Sequence, residues 1–380
     1  MKKIILLLFI FLFTGCFNYG ELNKMAIVTS IGIDKVKDKY LVSVQVINAK
    51  KDNEKGSNIT VYTQKGHTIF EALRETTLKS PKKLYGGHME KLVLSKEVAE
   101  DGIINVIDSF ERISDIKNEF NIIILENGKA YNLLKILTTS ENIPAEYVKH
   151  TIDTASKYTS LTYSTKLDEF LSLYLKKGID PVIPLIKVNN YNKDGSTLEN
   201  INTSSPISKI STIEKLGLTK DGKLIDYLNK NETIGYNFLK KGKNKTIISL
   251  KCDNNNYISL TLSNKTKYKI KKDNNKYFVK YILNISGTVN EYNCDKDLNN
   301  KKNLRRIEKK VKKKIDNYLN QTINKQYNSN SKFLGLENII YLQNYKYNNE
   351  KIIVKTNINV LIKDIGQTNK SLKGAKKDEE

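Results

Sequence analysis

The sequence predicts an α+β protein of more than one domain, with mixed and antiparallel sheets, packed helices and one long amphipathic helix near the C-terminus. Three observations predict it. Strand and helix signals alternate as far as Val188, an Asn/Ser/Thr-rich stretch follows, and beyond it strand signals separated by short polar turns give way to a helical stripe. A chain of 380 residues has room for two or three cores.

The elements follow in order. Met25 to Ile33 is apolar enough for a buried strand, and Tyr40, Val42, Val44 and Val46 lie on one face of a second by period-two alternation. The polar turn Lys37-Asp38-Lys39 joins the two as a hairpin. Thr68-Ile69-Phe70-Glu71 has capping-box form, a hydroxyl three residues before a carboxylate, and opens a helix through Ile69, Ala72, Leu73 and Thr76. Lys91 to Leu94 is a short strand, and Ile103, Val106, Ile107 and Phe110 share a helix face. Phe120 to Leu125 is another buried-strand segment. Ala130, Leu133, Leu134 and Leu137 form an amphipathic stripe, and Leu167 to Leu175 the last helix before Gly178.

After the polar stretch, Leu216 to Leu228 folds around Asp221-Gly222, a strong short-range hairpin signal. Thr246–Leu250, Tyr257–Leu262, Lys267–Ile270 and Tyr277–Ile285 are strand segments whose short turns favour antiparallel pairing. Leu304, Ile307, Val311, Ile315, Tyr318, Leu319 and Ile323 then hold one helical stripe, with Lys309-Lys310 and Lys312-Lys313-Lys314 on the other face. Those lysines read either as a solvated face or as a surface for anionic lipid or an acidic loop. A last strand runs from Ile352 to Ile362.

The N-terminus decides the compartment. Met1-Lys2-Lys3 precedes the apolar run Ile4 to Phe13, which is the cationic and hydrophobic arrangement of a signal peptide. The run is about half the roughly twenty residues that a bilayer span needs. Thr14-Gly15 then place small side chains before Cys16, which makes a bacterial lipobox with Phe13 where Leu is usual. The expectation is a diacylglyceryl group on Cys16, removal of residues 1–15, and a stable anchor, since two acyl chains hold where one does not.

The net charge of +23 has two readings. One is a genome biased toward Lys, Asn and Ile; the other is attraction to an anionic surface. Export makes nucleic acid a poor partner, and no nucleic-acid motif is present. Cys252 and Cys294 lie in strand-like segments, and an oxidising exterior permits a disulfide. Without any motif, two separate thiols is the favoured reading. No ligand spacing marks a metal site.

No GxSxG, HExxH, P-loop or GxGxxG occurs, and histidine occurs only at His67, His88 and His150. His67 stands at a helix entry, His88 follows Gly86-Gly87 in a sharp turn, and His150 lies on a polar helix. None has a catalytic partner in the sequence.

Several segments carry a resemblance when taken together. Ala26-Ile27-Val28-Thr29-Ser30-Ile31-Gly32-Ile33-Asp34 stands close after Cys16, and is followed in order by Gly66 to Arg74, Ser80 to His88, and Val93 to Ala99 with Gly102. Asp180-Pro181-Val182-Ile183-Pro184 and Asp221-Gly222-Lys223-Leu224 come later. In this order and spacing the chain resembles the Ger(x)C, or GerAC-like, spore germination lipoproteins. Phe17 stands where that family has Trp, and Phe333-Leu334-Gly335 loosely echoes its C-terminal stretch.

The resemblance implies the C subunit of a GerA-type nutrient germinant receptor in the inner spore membrane, acting with an A-type and a multi-span B-type subunit. It implies a multi-domain α+β fold; the residues themselves mark no catalytic, cofactor or metal site, and the lipobox makes Cys16 the one assigned site residue. The expected organisation is a leader over 1–15, an α+β domain over 16–188, a linker over 189–206, an α+β region over 207–365 with room for two lobes, and a disordered charged tail over 366–380. The rival is an extracytoplasmic solute-binding lipoprotein. That rival needs two repeated lobes with parallel sheets, against which the Asp221-Gly222 hairpin and the short turns argue.

Overall fold

A computed structural model of the protein describes residues 24–47, 59–135, 144–188, 211–240, 242–253, 256–294 and 296–366. Cys16, the leader, the expected linker and the tail beyond Gly366 lie outside the described residues.

The first sheet holds nine described strands: β1 (Met25–Val36), β2 (Lys39–Ile47), β3 (Ile59–Gly66), β4 (Lys83–Tyr85), β5 (Lys91–Ser95), β6 (Asn121–Leu125), β7 (Val182–Val188), β8 (Ser211–Lys220) and β9 (Lys223–Leu228). Their order is β3-β2-β1-β5-β6-β7-β8-β9, with β4 beside β1. The centre, β1-β5-β6-β7, is parallel, and antiparallel hairpins close both ends. Central strands covered on both faces read as unbroken apolar runs, and β5 and β6 are buried at every position.

Alternate residues of those strands enter different cores. Leu92, Leu94, Ile122 and Ile124 pack with helices α1 (Ile69–Thr76), α2 (Lys96–Glu111) and α5 (Leu167–Tyr174). Val93, Ile123 and Leu125 pack on the other face with α3 (Ala130–Leu134) and α4 (Pro144–Thr159). Thr68 caps α1 in the expected capping box, accepting from the Glu71 N–H while the Glu71 carboxylate accepts from the Thr68 N–H.

The second sheet is β10 (Gly242–Asp253), β11 (Asn256–Asp273), β12 (Lys276–Tyr292) and β13 (Lys351–Asp364). The first two pairings are antiparallel; β12 and β13 are parallel. A parallel pair needs a crossover, and α7 (Lys301–Asn328) with α8 (Leu336–Tyr341) supplies it. Helix α7 buries Ile307, Val311, Ile315, Tyr318, Leu319 and Ile323 on one face of this sheet, with α6 (Lys230–Leu239) beside it.

Two expectations change. The segments Tyr257–Leu262 and Lys267–Ile270 are one strand, because Ser263-Asn264-Lys265 pairs without a break opposite β12. Asn264, which reads as a turn residue, is buried; its Nδ2 donates to the Phe238 carbonyl at 3.2 Å and to Thr266 Oγ1 at 2.9 Å. Cys252 and Cys294 are joined as a disulfide, with Cα atoms 6.2 Å apart, and are not separate thiols. Lys251 pairs with Tyr257, and Tyr292 with Ile258, so the two cysteines reach the same end of the sheet on either side of β11.

The strands also do not part where the composition does. β8 and β9 follow the Asn/Ser/Thr-rich stretch yet complete the first sheet. Val182, Leu216, Leu218 and Leu228 of that sheet share a core with α6, α7 and the second sheet.

Candidate functional site

Cys16, the one site residue the sequence assigns, precedes the described residues; the described chain enters the fold at Lys24 and the start of β1. Among the described residues no cluster of His, Cys, Asp or Glu could hold a metal ion, and the three histidines stand apart. The His67 N–H donates to the Glu71 carboxylate at 2.7 Å, at the entry to α1. His88 meets the ring of Tyr85 edge-on, with centroids 5.9 Å apart. It lines a polar hollow with Glu90 and Lys149, which are themselves ion-paired at 2.9 Å. His150 is exposed on α4.

The segments that carry the family resemblance make contacts far along the chain. Asp34 ends the first of them, and its buried carboxylate accepts from the backbone N–H groups of Ala130 at 2.7 Å and Tyr131 at 3.0 Å, fastening the start of α3 to β1. Burial raises its pKa above the ordinary carboxylate value, against the lowering pull of those N–H groups. Gly102 interrupts α2 with a non-helical backbone. Just after it, the N–H groups of Ile103 and Ile104 donate to the carbonyl of Gly222. Asp221 and Gly222 both hold positive φ, as a two-residue turn matching strand twist requires.

A third meeting joins the Asp180-Pro181 segment to the Phe333-Leu334-Gly335 stretch. The Lys332 N–H donates to the Asp180 carboxylate at 2.6 Å, and the Asn338 N–H to the Gly178 carbonyl at 3.2 Å. Gly178 and Gly335 both have positive φ. A Cβ on Gly178 would stand 2.8 Å from the Asn338 nitrogen, and one on Gly335 2.6 Å from Ile179 Cδ1. Glycine is the residue that fits both demands.

Beside this seam lies a half-buried cluster that sequence reasoning missed. Lys240 Nζ donates to Glu169 Oε1 at 3.1 Å and sits 3.4 Å from the centroid of the Tyr163 ring. Tyr163 in turn donates to Glu169. Burial pushes the lysine down and the Tyr163 phenol far above its ordinary range. The cluster ties the segment before α5 to the end of α6. Nothing in three residues so distant in sequence signals it.

The expectation for the α7 lysines divides. Lys310 donates to the carbonyls of Lys251 at 2.9 Å and Cys252 at 3.2 Å, and Lys314 to that of Ser249 at 2.8 Å. On the opposite edge, the Ile362 N–H donates to Glu308 and the Val354 N–H to the Tyr327 hydroxyl. The helix thus covers backbone groups on both edge strands, which would otherwise invite pairing with another chain. Lys309, Lys312 and Lys313 remain exposed.

The chain matches two family models, "Spore germination protein N-terminal domain" over residues 18–188 and "Spore germination B3/GerAC like, C-terminal" over residues 214–366. The chain belongs to the Ger(x)C spore germination family. Ger(x)C relatives include spore germination protein KC of Bacillus subtilis, 25% identical over 353 residues that make up 90% of this chain and 87% of that one. Another is spore germination protein GerQC of Bacillus cereus, 21% identical over 355 residues, 92% and 93% of the two chains. The crystal structure of the GerBC protein superposes with a TM-score of 0.54 at 16% identity, covering 88% of this chain and 97% of that one; it shares the Ger(x)C fold.

Proposed function

We propose that the protein is a non-catalytic, lipid-anchored subunit of a membrane-bound nutrient germinant receptor, required for spore germination. What carries the reading is the match to both Ger(x)C family models over most of the chain, following a lipobox at Cys16. Diacylglyceryl-Cys16 holds the folded part at the outer face of the cytoplasmic membrane, the inner membrane of the spore. There it acts with A-type and B-type receptor subunits, whose effective concentration the tether raises. Its task is to present surfaces to those partners; no cofactor takes part.

The structure gives reasons to prefer a scaffold. The polar contacts that the family segments make join backbone to backbone or to a carboxylate, which fixes shape. The rival reading as a solute-binding lipoprotein needs two like lobes. The first sheet has a parallel centre, but the second is antiparallel in two of its three pairings, so the two are not repeats.

The test is Cys16→Ala in sporulating cells. The expected outcome is a chain that takes up no labelled fatty acid, is washed from the membrane fraction by high salt and supports nutrient germination poorly. Full membrane retention through that wash with normal germination overturns the tether.

A further inference from the structure

One face of the second sheet is covered by α6 and α7; no described helix crosses the other, which the end of α4 borders at β10 through Lys157 and Tyr158, and this barer face gathers lysines. On β11 the buried positions are even-numbered, so Lys265, Lys267, Lys269 and Lys271 all project from the barer face and are exposed. The register sets Lys269 opposite Lys280, and Lys280 opposite Lys355. Three lysines therefore stand in one row across β11, β12 and β13.

Like charges directly opposite in a sheet repel, and opposite charges there would stabilise it. No carboxylate interrupts this array. Carboxylates reach this face only at its two ends, Asp273 opposite Lys276 at one, and Glu291 and Asp364 beside Ser259 and Thr288 at the other. Lys272, the β11 lysine paired with Glu350, stands opposite Tyr277 on the covered face.

A genome-wide preference for lysine does not explain this placement. Residues 1–210 carry a net charge of +4, and +19 of the net +23 arises after them. Apolar groups also stand among the lysines. Phe278 lies under Lys355, whose Nζ is 4.8 Å from the ring centroid, and Ile247 and Leu361 are each 56% exposed on the same face.

We infer that this barer face docks on an anionic phospholipid surface. Lysine suits such a partner because it is a mobile point charge on a long apolar stem, which can follow a fluid layer of phosphates. Exposed Ile247 and Leu361 beside the cations give the mixed apolar and basic composition of surfaces that settle at the headgroup boundary. The setting, a protein held at a membrane, rests on the function proposed above; the test does not use the tether.

The chain from Phe17 onward, which keeps every described residue and lacks the acylated cysteine, is floated with phosphatidylcholine vesicles with and without phosphatidylglycerol. Binding is expected only with the anionic lipid and is expected to fall as salt screens the charges. The combined substitution Lys267→Gln, Lys269→Gln, Lys280→Gln and Lys355→Gln should weaken it by about tenfold or more, and Lys269→Gln alone by about fivefold. An equal removal of charge on α7, Lys302→Gln, Lys309→Gln, Lys312→Gln and Lys313→Gln, should leave most of it. Circular dichroism checks that each variant is folded, and the single substitution carries the test if the combined one is not.

Equal binding to neutral vesicles, no binding to anionic ones, or equal losses in the two charge-removed sets overturns the inference. So does binding to polyglutamate without vesicle binding, which points to an acidic protein. Failure of Cys16 lipidation would leave every one of these results unchanged, so the two readings fail separately.

Discussion

Asp34 shows what a single family residue does. Its two carboxylate oxygens each accept one N–H at the start of α3. Asp34→Asn offers one carbonyl oxygen and an amide that opposes the second N–H, so it should cost about 1–3 kcal/mol in urea unfolding at neutral pH. The pH dependence has a definite sign. The folded state raises this pKa, so the pH-dependent part of the Asp34 contribution, which adds to the hydrogen bonds lost in the variant, is full below the ordinary value of 3.8 and is lost as pH rises through the folded value. The stability gap between the unmodified chain and Asp34→Asn should therefore narrow from about pH 3 to pH 7; a widening gap contradicts it. Gly178→Ala places a Cβ at positive φ against Glu337 and Asn338 and should cost about 1–3 kcal/mol in the same assay. The sequence exposed these residues as members of a pattern. It could not expose their partners, which lie 96 and 152 positions away for the Asp34–Ala130 and Asp180–Lys332 bonds.

At the scale of elements, periodicity was legible wherever one face is buried. The capping box of α1, the Asp221-Gly222 hairpin and the stripe of α7 all stand where the pattern puts them. Strand β3 went unread because most of its side chains are only half-covered at an edge, which leaves no clear alternation. Helix α6 went unread because it is buried nearly all round, from Thr233 to Leu239. The period-two lysines of β11 were in plain view, but their meaning depends on which face the helices cover. Ile315 lies wholly inside the core under α7, and Ile315→Ala should cost about 2–5 kcal/mol by denaturant titration. The disulfide closes a loop of 42 residues' separation. Cys252→Ser with Cys294→Ser should cost about 2–4 kcal/mol, and intact mass under alkylation should find no free thiol at either position in the unreduced chain.

For the molecule as a whole, two dissimilar sheets share one continuous core through α6 and the end strands of the first sheet. The joins made by Asp180 with Lys332 and by Lys240 with Glu169 add polar fixation across the same seam. A protein built this way holds its surfaces in fixed relation. Fold class was readable from the sequence, because local patterns determine it. The sharing of the first sheet between residues on both sides of 189–210 was not, since composition marks where a chain turns polar and not which sheet it rejoins.

Mass spectrometry of the N-terminal peptide from purified spore membranes reads the proposed membrane tether at Cys16 without intermediary. A tethered chain yields a peptide that begins at Cys16 and carries the mass of a diacylglyceryl group. An unacylated Cys16 in a chain that still begins at Met1 would contradict it.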